Sequence, residues 1–268
     1  LRCVRPARER CRLGRSGEHP VSEDLATLLV ALLIGLVTGA LGPAVLRRLP
    51  EPELDTPPAD GEEESGSRLT IRPVYEKITY AALADGRGVA LWLGAAAAIT
   101  AAVLGLRIGW TGDLAVALVA VPTGTWLGYV DLRTTFLPTV LIYPTLLAVA
   151  AVALVVAASD DGWTDLRRGL VGCLVYGGIF YLLWWVIPGY GFGDVRLAFL
   201  LGAVLGYLGW YELVTGFMLA QLLGGFGGAL LALLKLIDPR RNPFGPYMLI
   251  AALVGAGFGP SIGSALGY

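Results

Sequence analysis

Beyond residue 88 the acidic side chains are Asp113, Asp131, Asp160, Asp161, Asp165, Asp194, Glu212 and Asp238. Asp113, Asp160, Asp161 and Asp165 fall between long apolar runs and read as solvated. Asp238 lies in the basic stretch Lys235–Arg241, and Glu212 adjoins the aromatic pair Trp210-Tyr211. Asp131 and Asp194 differ, because each is flush with one end of an apolar run. Two complete runs, 137–158 and 169–187, separate them, so both lie on the same side of whatever those runs cross. An ionisable group abutting hydrocarbon is costly and is by default a functional hypothesis. Two at one depth suggest a pair sharing a proton, since like charges a few Å apart cannot both ionise. Such a pair suits water activation. One carboxylate takes a proton from water as general base, while the other, protonated, polarises a carbonyl and later donates to the leaving amine. No metal and no covalent intermediate is required.

The flanking sequence invites special geometry. Gly189-Tyr-Gly-Phe-Gly precedes Asp194, and glycine allows positive φ and close backbone approach. The plainer alternatives stay open. Asp194 could simply cap a helix N-terminus after a flexible loop. Asp131 could pair with Arg133, and Pro138 could start the next helix.

The elements that must hold these acids follow from composition. The chain has 268 residues, 56% hydrophobic and 15% charged, with net charge −1, and a mean hydropathy of +0.68. Soluble domains run at about 45–50% apolar and about 25% charged. A soluble enzyme, a disordered chain and a basic nucleic-acid binder are therefore excluded, and no nucleic-acid partner is expected. Eight spans are expected, over roughly 25–46, 89–107, 113–130, 137–158, 169–187, 195–209, 213–236 and 246–266. All must be helical, because lipid cannot satisfy a bare backbone. The predicted fold is an all-α polytopic membrane protein in contact with lipid.

The predicted organisation is a tail over 1–20, a first transmembrane helix over 21–48, a cytoplasmic linker over 49–88 and a membrane domain over 89–268. The tail has six arginines and no apolar period, as if from an over-extended reading frame. The linker is rich in proline, glycine and carboxylates and cannot bury enough apolar surface to fold. A short amphipathic piece is expected near Val74–Leu83. Lys and Arg orient the spans. One set of loops carries Arg47, Arg48, Arg68, Arg72, Lys77, Arg87, Arg133, Arg196, Lys235, Arg240 and Arg241, against Arg107, Arg167 and Arg168 in the other. The first set, with Asp131 and Asp194, is expected to face the cytoplasm. Tryptophans near span ends read as interfacial anchors. Gly35/Gly39, Gly202/Gly206 and Gly224/Gly228 read as close helix contacts, with a substrate groove as the sharper alternative. Cys3, Cys11 and Cys173 make no CxxC, and His19 is the sole histidine, so no metal site is expected.

These motifs resemble the type IV prepilin peptidase family, membrane aspartic proteases with a GxGD motif. That pattern has an aspartate followed seven residues later by proline, matched by Asp131 and Pro138. It then has GxGD followed by a basic and an apolar residue, matched by Gly191-Phe-Gly193-Asp194-Val-Arg196-Leu197. Asn242-Pro243-Phe-Gly245-Pro246 resembles the family's PFGP element. The resemblance covers about 89–266 well and 25–50 loosely. It implies an aspartic-type endopeptidase of the bacterial inner membrane, removing short basic leaders from prepilins or pseudopilins of pilus or type II secretion systems. Asp131 and Asp194 would be its catalytic dyad, Gly191, Gly193, Arg196, Pro138, Pro243, Gly245 and Pro246 its supporting motif residues. No cofactor is implied. Family members often carry a four-cysteine zinc module in the first inner loop, associated with N-methylation. Residues 49–88 have no cysteine, so methyl transfer has no support here. The first helix echoes the family only at Gly39-Ala-Leu-Gly-Pro43, and Thr139 stands where a second aspartate is common. A presenilin-like protease of other substrates and a small proton- or ion-coupled transporter are the alternatives. Val130 between Tyr129 and Asp131 weakens the first, and the lack of an inverted repeat weakens the second.

Overall fold

The computed structural model describes residues 21–51, 79–187, 191–228, 233–234 and 243–267. The expected tail over 1–20 and most of the linker lie outside the described residues. Within them the chain is helical and contains no strand. The helices are α1 (Val21–Arg48), α2 (Tyr80–Ala84), α3 (Val89–Ile108), α4 (Gly112–Thr134), α5 (Thr139–Ser159), α6 (Trp163–Val186), α7 (Phe192–Leu208), α8 (Trp210–Ala220) and α9 (Phe244–Leu266). Six of them, α1, α3, α4, α5, α6 and α9, are long and apolar enough to cross a membrane. The multi-pass all-α architecture expected from hydropathy is thus present.

The expected count of eight spans rests on two further segments that are shorter. α7 is 17 residues long. α8 has 11 residues and runs directly into a π-helical stretch, Gln221–Gly227. The wider π turn sets Gly224 against the Phe244 ring, where an added Cβ would lie 2.4 Å from a ring carbon. The connection between α7 and α8 is a single residue, Gly209.

Backbone proximity organises the bundle into three tight pairs: α1 with α3, α6 with α7, and α8 with α9. Each pair meets at glycines. A Cβ on Gly39 would lie 2.4 Å from the Ala90 carbonyl, one on Gly202 would lie 2.5 Å from the Gly172 carbonyl, and one on Gly255 would lie 2.6 Å from the Glu212 carbonyl. Small residues let backbones approach where lipid gives no hydrophobic push between helices. The packing interpretation of Gly35/Gly39 and Gly202/Gly206 therefore holds. α4 and α5 bridge the pairs, joined by a buried bond of 2.8 Å between the Thr123 and Thr145 hydroxyls. Thr145 gives its own proton to the Leu141 carbonyl, 2.8 Å away, so its oxygen accepts from Thr123.

Two tryptophans expected to be interface anchors, and one outer-loop arginine, also tie helices together. Trp110 Nε1 donates to Thr27 Oγ1 at 2.9 Å, and Trp126 Nε1 donates to the Thr38 carbonyl at 3.1 Å, both on α1. Arg168 donates to the carbonyls of Gly206 (2.7 Å), Tyr207 (2.5 Å) and Leu208 (3.1 Å), the last acceptors of α7. A cation at that position satisfies orphan carbonyls and complements the negative end of the helix dipole. Leucines such as Leu32, Leu36, Leu91 and Leu147 face outward, as lipid-facing surface requires.

Candidate active site

The site forms at the end of the bundle where α4 finishes and α5, α7 and α9 begin. Asp131 lies in the last turn of α4. Thr135, in the left-handed region at φ 57°, closes that helix, and its N–H bonds the Asp131 carbonyl at 2.8 Å. Pro138 caps the start of α5 with extended backbone and is buried, as the sequence suggested for it. Asp194 is the third residue of α7. The bundle therefore brings the two acids to the same end.

Both carboxyls are buried, with 3% of Asp131 and 8% of Asp194 exposed. They are close enough that the charge of Asp131 acts on Asp194. Each is held by a helix N-terminus. Asp131 Oδ2 accepts from the backbone N–H of Gly245 at 2.9 Å, in the first turn of α9. Asp194 Oδ2 reaches back to accept from the Gly191 N–H at 3.2 Å, at the start of its own helix. Free N–H groups and the positive end of the dipole suit a carboxylate in both places. The capping role weighed for Asp194 is therefore real and coexists with its place beside Asp131. The alternative partner for Asp131 is not used: the Arg133 guanidinium turns instead over the Tyr129 ring, 5.9 Å from its centroid.

The motif glycines serve close approach. Gly191 has an ordinary φ of −79°, and Gly193 is helical, so neither needs the positive φ that glycine was expected to offer. A Cβ on Gly245 would lie 2.7 Å from Asp131 Oδ2, and one on Gly193 would lie 2.9 Å from Leu137 Cβ. Pro243 is the N-cap of α9, and Pro246 follows Gly245 in its first turn, where a missing N–H costs nothing. The PFGP element thus delivers one backbone N–H to Asp131. Gly189 and Tyr190 lie outside the described residues. Arg196 points elsewhere: it donates through Nη1 to Thr139 Oγ1, and its Cζ lies 4.6 Å over the Phe192 ring.

Tyr80 is a neighbour that sequence reasoning passed over. It opens α2, a five-residue helix capped by the Thr79 hydroxyl, which accepts from the Ala82 N–H at 3.2 Å. Its own N–H donates to Glu51 Oε1 at 2.7 Å, closing the two described ends of the linker on each other. Its ring is only 3% exposed and belongs to the apolar cluster that includes Val130, next to Asp131. Burial first, then the charges of Glu51 and Asp131, push its phenol up to about 12, so it stays protonated near neutral pH. The available signal was a tyrosine in the expected amphipathic piece, with nothing to say which helix end it would meet.

Fold and site together define a polytopic all-α membrane protein with a coupled pair of buried carboxyls at one end of its bundle. Residues 118–233, which include both aspartates, match the type IV leader peptidase family. That is the family the motifs resemble. A prepilin leader peptidase/N-methyltransferase of Aeromonas hydrophila is 32% identical over 168 residues, 59% of this chain and 53% of that protein. Its counterpart from Aeromonas salmonicida (strain A449) is 31% identical over 168 residues, with the same shares. The chain thus spans about half the length of the curated relatives it matches. No solved structure matches it.

Proposed function

We propose that this chain is an intramembrane aspartic endopeptidase that removes leader peptides from type IV prepilins or pseudopilins. Asp131 and Asp194 are its catalytic pair, working at the cytoplasmic face of the bacterial inner membrane. The observation that carries this is the convergence of two buried, coupled carboxyls within the family-matched region. Residues 21–48 serve as the first transmembrane helix, 49–88 as a cytoplasmic linker and 89–268 as the peptidase domain.

In this reaction one carboxylate removes a proton from a water held between the pair, and that water adds to the scissile carbonyl. The protonated partner donates a hydrogen bond to the carbonyl oxygen and then a proton to the leaving amine. Two acids that share one proton supply both roles, and which one carries it belongs to the pair rather than to either residue. The N–H groups of Gly245 and Gly191 bond Oδ2 of each acid, and Oδ1 of each is left for water and substrate. The N-methyltransferase half of the relatives' name is not carried over, since the linker has no cysteine with which to build the zinc module.

Asp131→Asn and Asp194→Asn, tested with a co-expressed type IV prepilin, are expected to lose processing by about 10²- to 10⁴-fold or more. Their abundance in the membrane should match wild type. Normal processing by either variant would reject the pair.

A further inference from the structure

Two residues beyond Asp194, Arg196 projects from roughly the opposite side of α7, since two residues turn a helix by about 200°. There its Nη1 donates to the hydroxyl of Thr139, the first residue of α5, and its Cζ stacks 4.6 Å from the centre of the Phe192 ring. Its Nε is buried with no hydrogen-bond partner among the described residues. Among the described residues the side chain bonds Thr139 and not Asp194. The guanidinium therefore does not work on the acid directly. What it does touch is the far end of the short segment that leads from Asp131 into α5. Two residues before Thr139, Leu137 packs on Gly193, where a Cβ would be 2.9 Å from Leu137 Cβ.

We infer that Arg196 and Thr139 form a positioning clamp that fastens the start of α7 to the start of α5 and so sets the separation of Asp131 and Asp194. The idea rests on the peptidase proposal and adds to it two residues that act through the aspartates. Gly193 on Leu137 fixes how closely the two segments approach, while the Arg196–Thr139 bond fixes their register along the helix axis. The Phe192 ring holds the guanidinium plane in place, a geometry lysine does not reproduce. A hydroxyl is the weaker kind of acceptor for a cation, so a carboxylate at 139 would tighten the same link.

The test uses the full chain in liposomes with a purified type IV prepilin and compares Arg196→Gln, Thr139→Val, the double variant, Thr139→Ser and Thr139→Asp. The two single removals are expected to lower kcat at least about fivefold with KM within about twofold, because a displaced pair binds substrate but reacts poorly. The double variant should be no worse than the poorer single one, as for two halves of one contact. Thr139→Ser and Thr139→Asp should keep kcat within about twofold of wild type. Hydrogen exchange measured by mass spectrometry should rise over 135–139 and 191–196 together in either single variant. Single variants that keep wild-type kcat, multiplicative losses in the double, a Thr139→Ser as damaged as Thr139→Val, or exchange rising only in the substituted segment would each overturn the clamp. If the wild-type chain leaves prepilin uncut, the peptidase proposal fails, and the exchange arm alone decides the clamp.

Discussion

Each aspartate is gripped by a backbone N–H at a helix start, and that grip is where single substitutions act most sharply. Gly245 brings its N–H to 2.9 Å from Asp131 Oδ2, and a methyl there would sit 2.7 Å from the same oxygen. Gly245→Ala must push the carboxyl away and break a hydrogen bond to a charged group, worth about 1.5–3 kcal/mol. We expect prepilin cleavage to fall about 10- to 100-fold, with membrane abundance unchanged; full activity would mean that the Gly245 contact is idle. At this scale the sequence was informative where chemistry and spacing coincide. Asp131, Asp194 and the three motif glycines could be named because their order and spacing match a known pattern, which acids and glycines at other helix ends do not. What could not be read is which oxygen meets which donor. Nothing in a linear string pairs Asp131 with Gly245, or Arg196 with Thr139. The same holds for Tyr80, which reaches the site from a helix of only five residues.

Helices were legible because lipid forces them. A run of about 20 apolar residues can satisfy its backbone only as a helix, so spans such as 89–107 and 137–158 agree with α3 and α5 closely. The expectation was loosest at 213–236, where α8 begins three residues earlier at Trp210 and changes to π geometry at Gln221. Hydropathy carries no record of a π turn or of the contact it makes, Gly224 against Phe244. Glycine pairs at four-residue spacing were legible as contacts, but their partners were not. α7 illustrates the consequence, since Gly202 and Gly206 seat it on α6 at Gly172. Gly202→Leu would place a side chain 2.5 Å from the Gly172 carbonyl and 2.7 Å from Tyr176 Cβ. It is expected to cost about 1–3 kcal/mol of stability through overpacking. Thermal unfolding in detergent should show a lowered midpoint, while an unchanged midpoint would mean that the α6–α7 contact has slack.

For the whole molecule, the arrangement of charge around the spans predicts a direction in the membrane that can be read without any activity assay. Thr135 lies at the end of the bundle that carries the aspartates, and Ser159 closes α5 at the other; both are exposed. In intact bacterial cells a membrane-impermeant thiol reagent should label Ser159→Cys readily. It should reach Thr135→Cys only after the inner membrane is permeabilised. The reverse pattern would invert the proposed orientation and place the pair outside the cytoplasm.

Asp194 is rooted in the α6–α7 pair, whereas Asp131 is moored to the α8–α9 pair by the Gly245 N–H. The two acids are thus anchored in different helix pairs, and their spacing is inherited from how those pairs pack rather than from any contact inside one of them.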